Sequence, residues 1–371
     1  MASALSTHTI APAVVLRGDG AWKEAQPHIA YLCQKPTLLG RSAVTEHLRH
    51  QLQSDLSMGG LFPLWLELNH DCCEDDLQRL AFEVNANGSD SIIAAGGGKV
   101  LDAGKLLADR LRLPCITVPF SAATCAGWTA LSNLYSPNGA FEGDVALARC
   151  PDLLVFDHGF VRQAPPRTLA SGIADALAKW YEASVSSGKS ADGLVQQAVQ
   201  MARVLRDQLL LDSREAIQNP NSEEWSRVAE ACGLTAGMMG GIGGASCRTV
   251  AAHAVHNGLT QLQACHGILH GEKVGFGILV QLRLEERLGG NRLAGQAHRQ
   301  LLPFLRELDL PVTLAELGLA SATVSDLQEV CSFACRDCSD LHHLPFEVTA
   351  GALLEALVGA GEVIPATSNR P

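Results

Sequence analysis

The stretch that decides the fold is 91-SIIAAGGGKVLDAGK-105, in which an apolar run leads through three consecutive glycines into a helix-compatible segment. Such turns often hold phosphate, because glycines let the backbone approach closely and a helix N-terminus is electropositive. The P-loop pattern is excluded, since it requires glycine at Ile93 and serine or threonine at Val100. The dinucleotide pattern G-x-G-x-x-G is incomplete, because position 101 is leucine. The surrounding sequence must therefore distinguish a phosphate site from a plain tight turn.

The composition is that of a large globular protein. The chain has 371 residues, of which 47% are hydrophobic and 18% are charged, so two domains are expected. A formal charge of −11 disfavours a nucleic-acid-binding surface but allows a small anionic cofactor. The 12 cysteines and the absence of a secretory pattern indicate reduced thiols and a cytoplasmic protein. No apolar run is long enough to predict a membrane span.

Short apolar runs alternate with helix-compatible segments through roughly the first 160 residues. Strands are predicted over residues 13–16, 36–39, 64–68, 91–95, 115–118 and 152–156, and helices over residues 42–52, 73–85 and 100–111. This alternation predicts a parallel sheet with helices on both faces. Gly96, Gly97 and Gly98 then form a strand-to-helix turn whose N–H groups are placed for phosphate.

The second half of the chain changes character after Pro165 and Pro166, which we interpret as a hinge. Helices are predicted over residues 170–186, 193–211, 223–239, 248–262 and 272–288. We therefore predict an α/β domain over residues 1–164 and an all-α domain over residues 165–371.

An acidic residue interrupts the apolar segment GIADALAKWYEA. Asp175 is surrounded there by alanine, leucine and tryptophan, so its carboxylate needs a metal, a cation or backbone donors. A buried ion pair with Lys179, one helical turn further on, is the alternative.

Four histidines cluster in the segments AAHAVHNGL and HGILHGEKVGFG, namely His253, His256, His266 and His270. Each pair has helical i,i+3 or i,i+4 spacing. Neutral imidazole is the commonest metal ligand, and two histidines with one aspartate leave a coordination position open for a substrate. Any single histidine could instead be a hydrogen-bonded core residue, but the cluster together with Asp175 favours a catalytic metal.

A further pattern joins Cys331, Cys335 and Cys338 at C-x₃-C-x₂-C spacing, which could hold an iron–sulfur cluster. The segment is helix-compatible and the chain is rich in cysteine throughout. We interpret this spacing as coincidental.

Six motifs occur in one order along residues 13–358: GGGKVLDAGK, PDLLVFD, GIADALAKWYEA, AAHAVHNGL, HGEKVGFG and LPFEVT. In these the chain resembles the glycerol dehydrogenase-like branch of the iron-containing (group III) alcohol dehydrogenase superfamily. The resemblance implies an architecture shared with dehydroquinate synthase, in which a Rossmann-like dinucleotide-binding domain precedes an all-α domain. It also implies a homo-oligomer.

The resemblance implies that the glycine turn holds the pyrophosphate of a nicotinamide dinucleotide. On this basis we assign the following residues to the cofactor: Gly96, Gly97, Gly98, Lys99, Asp102, Phe120, Ser121, Thr129, Leu131 and Tyr135.

The resemblance also implies the metal ligands Asp175, His253 and His270. The iron-dependent branch would have another histidine where Lys179 stands, so its absence favours zinc over iron. His256 is then expected near the substrate, as a proton relay and not as a ligand.

The sequence departs from the glycerol dehydrogenases within residues 119–135, PFSAATCAGWTALSNLY. Cys125 replaces the aspartate that contacts a polyol, and Trp128 adds apolar bulk. This segment is more similar to the hydroxycarboxylate dehydrogenases of the same superfamily, which reduce 2-oxo acids. Arg248 could bind the carboxylate of such a substrate, and a surface or interface position is the alternative for it.

The second departure concerns the dinucleotide. An NAD enzyme usually has an acid after the second strand, whereas this chain has Arg41 and Ser42, which suit the 2′-phosphate of NADP. We therefore expect NADP(H) more than NAD(H), unless Arg41 faces solvent.

The expected function is hydride transfer between NAD(P)(H) and a small hydroxy or oxo compound, most simply a 2-hydroxy or 2-oxo carboxylate. The alternatives are a glycerol dehydrogenase, a dehydroquinate-synthase-like lyase without net redox, and a non-catalytic dinucleotide-binding protein.

Overall fold

The computed structural model describes residues 7–244, 247 and 249–364. Contacts between Cα atoms divide the chain into two compact units. The first unit contains the residues up to Pro165 and the later segment Ala229–Gly244. The second unit contains Pro166–Val228 and the residues that follow Gly244. The division into an α/β domain over residues 1–164 and an all-α domain over residues 165–371 stays a prediction.

A parallel sheet forms the centre of the first unit, as predicted. Six strands build it within the described residues, in the order β1-β8-β5-β4-β2-β3. Their bounds are β1 (Val14–Gly18), β2 (Pro36–Gly40), β3 (Leu64–Glu67), β4 (Ser91–Gly96), β5 (Cys115–Pro119) and β8 (Leu153–Asp157). Because every neighbouring pair is parallel, the loops that follow β2, β3 and β4 lie side by side at one edge.

The helices of the first unit are α1 (Ala21–Leu32), α2 (Glu46–Met58), α3 (Glu74–Asn87), α4 (Gly98–Leu111), α5 (His158–Val161) and α9 (Ala236–Gly243). Helix α2 starts four residues later than predicted, because a short 3₁₀ turn, Ala43–Thr45, precedes it. Strands β4 and β5 are buried along their whole length, and their isoleucine, valine and alanine side chains form part of the core.

An antiparallel hairpin was missed by the sequence analysis. It pairs β6 (Leu131–Tyr135) with β7 (Phe141–Ala146). The turn contains Pro137, Asn138 and Gly139, and Gly139 has a φ of 86°, which favours glycine. This Pro-Asn-Gly sequence was the available turn signal.

The second unit is helical, which confirms the predicted fold class. Its helices are α6 (Pro166–Ser187), α7 (Gly193–Gln218), α10 (Ala251–Leu259), α11 (His270–Arg287), α12 (Arg292–Glu307), α13 (Val324–Ala334) and α14 (Ala350–Val358), and α8 (Glu223–Glu230) spans the division between the units. The two units divide between Pro165 and Pro166, and the interpretation of this pair as a hinge stays a prediction. Pro166 is the first residue of α6, where its missing N–H costs no hydrogen bond.

Glycines on α11 allow its neighbours to approach closely. A Cβ atom at Gly271 would lie 1.8 Å from the carbonyl oxygen of Ser171 on α6. A Cβ atom at Gly277 would lie 2.3 Å from the carbonyl oxygen of Ala252 on α10. These contacts hold the three helices that carry Asp175, His253 and His270 near one another.

No helix within the described residues combines the length and the apolar character needed to cross a membrane.

We expect Gly277→Ala to destabilise the protein by about 1–3 kcal/mol, because the new methyl group would meet backbone atoms of α10. Gly351→Ala on α14 is the matched control, since no atom lies within 4 Å of its added Cβ. That control should be stabilising by about 0.5–1 kcal/mol, because alanine is the better helix former. Thermal and denaturant unfolding measure both, and equal effects would contradict the packing argument.

Candidate active site

Three helices of the second unit bring Asp175, His253 and His270 together. The Oδ1 atom of Asp175 lies 3.4 Å from the Nε2 atom of His253 and 3.4 Å from the Nε2 atom of His270. All three potential ligand atoms lie within 4.8 Å of one another. Two ligands bound at about 2.0–2.1 Å to a tetrahedral ion are about 3.3 Å apart. The spacing therefore fits a metal ion between the three atoms.

The Asp175 carboxylate supplies an independent test of that fit. Its side chain is buried, and its Oδ1 atom has no hydrogen-bond partner among the described residues. Burial alone would raise the pKa of Asp175, but Lys179 and the two histidines lower it well below its usual value. A buried, ionised oxygen that lies near three cationic or imidazole groups but accepts no hydrogen bond is the kind of atom that a metal cation stabilises.

Lys179 is the alternative partner that the sequence suggested. Its Nζ atom lies 3.9 Å from Oδ1 of Asp175, which is too far for a direct hydrogen bond. The lysine is largely buried at this position. Lys179 therefore adds positive charge close to the cluster without donating a hydrogen bond to Oδ1 of Asp175.

Glu182 orients His253 and was missed by the sequence analysis. Its Oε2 atom accepts a hydrogen bond of 2.6 Å from Nδ1 of His253, and its Oε1 atom accepts from the backbone N–H groups of Val250 and His253. With its proton on Nδ1, His253 keeps the Nε2 lone pair for a metal. The available signal was the seven-residue separation of Glu182 from Asp175, which places both on one face of α6.

His256 contacts the third histidine of the cluster. Its Nε2 atom lies 2.9 Å from Nδ1 of His270, and its own Nδ1 lies 2.9 Å from Oδ1 of Asn257. The consistent assignment has His256 donating to Asn257 and accepting from His270. That assignment leaves Nε2 of His270 unprotonated, facing Asp175. The predicted proton-relay function of His256 stays a prediction.

The charges of His256 and His270 agree with this assignment. Burial lowers the pKa of His256 well below its ordinary value, so the ring is neutral. Burial also lowers the pKa of His270. Burial opposes the charged form of His253 as well, but the carboxylates of Glu182 and Asp175 raise its pKa to about 9, so without a metal this ring is protonated on both nitrogens at neutral pH. A metal ion at Nε2 of His253 would take the place of that proton. His266, the fourth histidine of the sequence cluster, is exposed and lies 3.0 Å from the carbonyl oxygen of Thr260.

A second group of potential metal ligands, His70, Cys73 and Asp76, has a simpler explanation. The Asp76 carboxylate already accepts hydrogen bonds from the N–H groups of Asn69 and His70 and from Arg79. Asp76 therefore anchors the loop before α3. Within the described part of the chain, Cys331, Cys335 and Cys338 form no such group and no disulfide.

The glycine turn lies where the sequence predicted it, between β4 and α4. Gly97 precedes α4 without a side-chain cap, and nothing lies within 4 Å of the position that its Cβ would occupy. Gly98 is closer to its surroundings, since a Cβ there would lie 2.9 Å from Oγ1 of Thr124. The open space at Gly97 and the uncapped helix start fit an approaching phosphate.

Buried polar contacts connect several residues assigned to the cofactor. The Nζ atom of Lys105 lies 3.2 Å from Oδ1 of Asp102 and donates to the carbonyl oxygens of Thr129, at 3.0 Å, and Leu131. Both Lys105 and Asp102 are buried. These contacts tie α4 to the start of β6, and direct contacts of Asp102, Thr129 and Leu131 with a cofactor stay predictions.

The aromatic residues assigned to the cofactor are also buried. Phe120 packs edge-on against Phe160, with ring centroids 5.7 Å apart. The Nζ atom of Lys99 lies 4.9 Å from the ring centroid of Tyr135. Ser121 is half-buried beside Phe120. Their contacts with a cofactor stay predictions.

The sequence analysis expected Arg41 to be available for the 2′-phosphate of NADP, but the structure shows it paired with an acid. It is exposed after β2, as is Ser42, but it forms an ion pair with Asp71, which also pairs with Lys99. The acid was missed because it belongs to the loop after β3 and not to the loop after β2.

The residues proposed for substrate contact have different surroundings. Cys125 is half-buried. Trp128 is 8% exposed, and its indole N–H donates to the carbonyl oxygen of Ile10 at 2.9 Å. Trp128 therefore has packing contacts, and its contact with substrate stays a prediction. Arg248 lies outside the described residues.

The chain is similar to known oxidoreductases over most of its length. The family model of iron-containing alcohol dehydrogenases matches residues 12–158. The Synechocystis protein named "Uncharacterized oxidoreductase slr1167" is 51% identical over 95% of this chain and 91% of its own length. Hydroxycarboxylate dehydrogenase A of Escherichia coli is 36% identical over 77% of this chain and 78% of its own length.

Among solved structures, a probable glycerol dehydrogenase from Sinorhizobium meliloti superimposes with a TM-score of 0.85 at 27% identity, covering 96% of this chain and 98% of the other. The resemblance found in the sequence motifs is confirmed. The chain belongs to the iron-containing alcohol dehydrogenase family and is an oxidoreductase of its glycerol dehydrogenase-like branch.

Proposed function

We propose that this protein is a metal-dependent NAD(P)(H) oxidoreductase that interconverts a small 2-oxo acid and the corresponding 2-hydroxy acid. The observation that supports it most directly is the convergence of Asp175, His253 and His270, with one oxygen of Asp175 buried and accepting no hydrogen bond. Three protein ligands leave a coordination position for a substrate, as in catalytic zinc sites. Lys179, in place of a further histidine, supports zinc over iron.

When bound, the metal supplies a Lewis acid for the substrate oxygen, and the nicotinamide supplies or accepts the hydride. The chain's own residues prepare this chemistry. Glu182 accepts a hydrogen bond from Nδ1 of His253, and Nε2 of His256 accepts one from Nδ1 of His270. With both Nδ1 protons held in this way, the Nε2 atoms would be the ones to bind the metal. We assign His256 to the positioning of His270, because both of its ring nitrogens already have protein partners.

The turn after β4 supports the dinucleotide. Gly97 leaves open space, α4 presents an uncapped N-terminus, and Lys99 adds a cation beside them. We propose that the pyrophosphate is bound at Gly96, Gly97 and Gly98.

Charge supports a 2-oxo acid as the substrate. Its carboxylate is bonded directly to the reacting carbonyl carbon, so a cation that binds it must lie close to the metal ligands. The Lys179 ammonium group is 3.9 Å from Oδ1 of Asp175. Cys125 adds no negative charge where glycerol dehydrogenases have an aspartate. The similarity to hydroxycarboxylate dehydrogenase A points the same way.

Polyol oxidation is the second candidate, because the structure superimposes closely on a probable glycerol dehydrogenase. A direct comparison of a 2-oxo acid with dihydroxyacetone distinguishes the two. Any net NAD(P)H oxidation also excludes a lyase without net redox.

A homo-oligomeric state and a cytoplasmic location remain predictions. Size-exclusion chromatography with light scattering would test the oligomeric state.

The substrate proposal is tested with zinc-loaded protein by following NADH and NADPH oxidation with 2-oxobutyrate and with dihydroxyacetone. We expect the larger kcat/KM for 2-oxobutyrate. Lys179→Met should raise the KM for 2-oxobutyrate by about tenfold, because a charge-assisted contact is lost, and should affect dihydroxyacetone less. The ratio of the two substrates corrects for any change in metal content.

Lys189→Met, at an exposed lysine of the same unit, is the control and should leave that ratio unchanged. Faster turnover of dihydroxyacetone by the unaltered protein would favour the polyol candidate. Equal losses for both substrates in Lys179→Met would mean that Lys179 acts through Asp175 and does not bind the carboxylate.

The metal proposal is tested with Glu182→Gln. We expect zinc affinity to fall about 10–100-fold, because a glutamine cannot accept from His253 and the two backbone N–H groups as the carboxylate does. Metal content by mass spectrometry and chelator competition measure the loss.

Glu285→Gln is the matched control, a buried carboxylate in the same unit that accepts from Gln281 and Asn291 and from no histidine. It should retain zinc. Unchanged zinc affinity in Glu182→Gln would contradict the orienting function of Glu182, and zinc binding that survives His253→Ala unchanged would overturn the ligand set.

A further inference from the structure

Asp71 lies between the two cations of the proposed dinucleotide site. Its Oδ1 atom pairs with Arg41, which follows β2, and its Oδ2 atom pairs with Lys99, which follows β4. Asp71 itself belongs to the loop after β3. The sheet order β4-β2-β3 makes these three loops neighbours, so one carboxylate reaches both cations.

The loop that carries Asp71 is anchored on both sides. The N–H of Leu68 donates to the carbonyl oxygen of Gly40 at 2.9 Å, and the N–H of Tyr135 donates to the carbonyl oxygen of Cys72 at 2.8 Å. The carboxylate of Asp76 binds the two backbone N–H groups that precede Asp71. The position of Asp71 is therefore set by backbone contacts as well as by its ion pairs.

Asp71 is the most buried of the three charged groups. Its side chain is 11% exposed, against 38% for Arg41 and 45% for Lys99. Burial alone would raise the pKa of Asp71, but Lys99 and Arg41 lower it below its ordinary value. The group is therefore an anion at neutral pH, and the cations reach solvent with their charge partly neutralised.

We propose that Asp71 selects the dinucleotide: its carboxylate accepts the adenosine 2′-hydroxyl of NAD(H) and repels the 2′-phosphate of NADP(H). This inference rests on the proposed dinucleotide site. The 2′-phosphate would have to compete with Asp71 for Arg41 while lying next to a second anion. The 2′-hydroxyl of NAD(H) meets no such repulsion and finds an acceptor.

The inference reverses the preference predicted from Arg41 considered alone. Arginine after the second strand suits a 2′-phosphate only when its guanidinium group is available. Here that group is paired with an acid from a neighbouring loop. The site therefore resembles an NAD site whose acid comes from β3 instead of β2.

Asp71→Asn tests this, because asparagine keeps the shape and removes the charge. Dissociation constants for NADH and NADPH are measured by fluorescence titration of the full chain, independently of turnover. We expect the unaltered protein to bind NADH more tightly. Asp71→Asn should shift the ratio of the two constants toward NADPH by at least about tenfold, because the repulsion of the 2′-phosphate is removed.

Asp75→Asn is the control, since it removes the same charge from an exposed position four residues away. It should leave the ratio unchanged. In the double variant Asp71→Asn with Arg41→Gln, the gain for NADPH should be smaller, because the freed guanidinium group adds to the effect of the removed repulsion. Asp71→Ser serves as a second neutral variant if circular dichroism shows that Asp71→Asn does not fold.

Several results would overturn the inference. They are an unchanged ratio in folded Asp71→Asn or Asp71→Ser, an equal shift in Asp75→Asn, and an unaltered protein that prefers NADPH. An unaltered protein that binds neither dinucleotide would instead refute the proposed function, so the two failures can be told apart.

Discussion

Asp175 places a carboxylate inside the packing of α6, α10 and α11, where an uncompensated charge is costly. The arrangement of the second unit follows from that constraint. Glycines on α11 let the helices approach closely enough for two imidazole rings to face the carboxylate. Glu182 and His256 then orient those rings. The cation that we propose between the three side chains would complete the compensation.

The edge of the sheet in the first unit shows the same dependence on charge compensation. Lys99 lies in the first turn of α4 and Arg41 in the loop after β2, and Asp71 pairs with both. The difference is exposure, since this group reaches solvent while the Asp175 cluster is buried. A solvent-accessible ion pair can exchange one anion for another, which suits the binding of a ligand. A buried carboxylate needs a resident partner.

Periodic or strongly apolar segments were predictable. Strands β4 and β5 are short, buried and rich in isoleucine and valine, so their pattern has few alternatives. The hairpin β6–β7 was missed, because half of its residues are polar and its turn signal was not used. The 3₁₀ turn before α2 and the start of α6 at Pro166 were misjudged for a related reason. The local sequence before α2 and α6 is compatible with more than one starting residue for each helix.

Within the candidate site, the histidine spacing and the isolated Asp175 indicated from sequence that Asp175, His253 and His270 belong together, because a charged residue in an apolar helix requires a partner. Glu182 was within reach of the same reasoning, two helical turns from Asp175. The contact between His256 and His270 depends on how α10 packs against α11, and the pairing of Asp71 with Arg41 depends on which strand lies next to β2. The sequence by itself determined the elements and the chemistry of their side chains, whereas only the tertiary structure decided which charges meet, because those contacts join residues far apart in the chain.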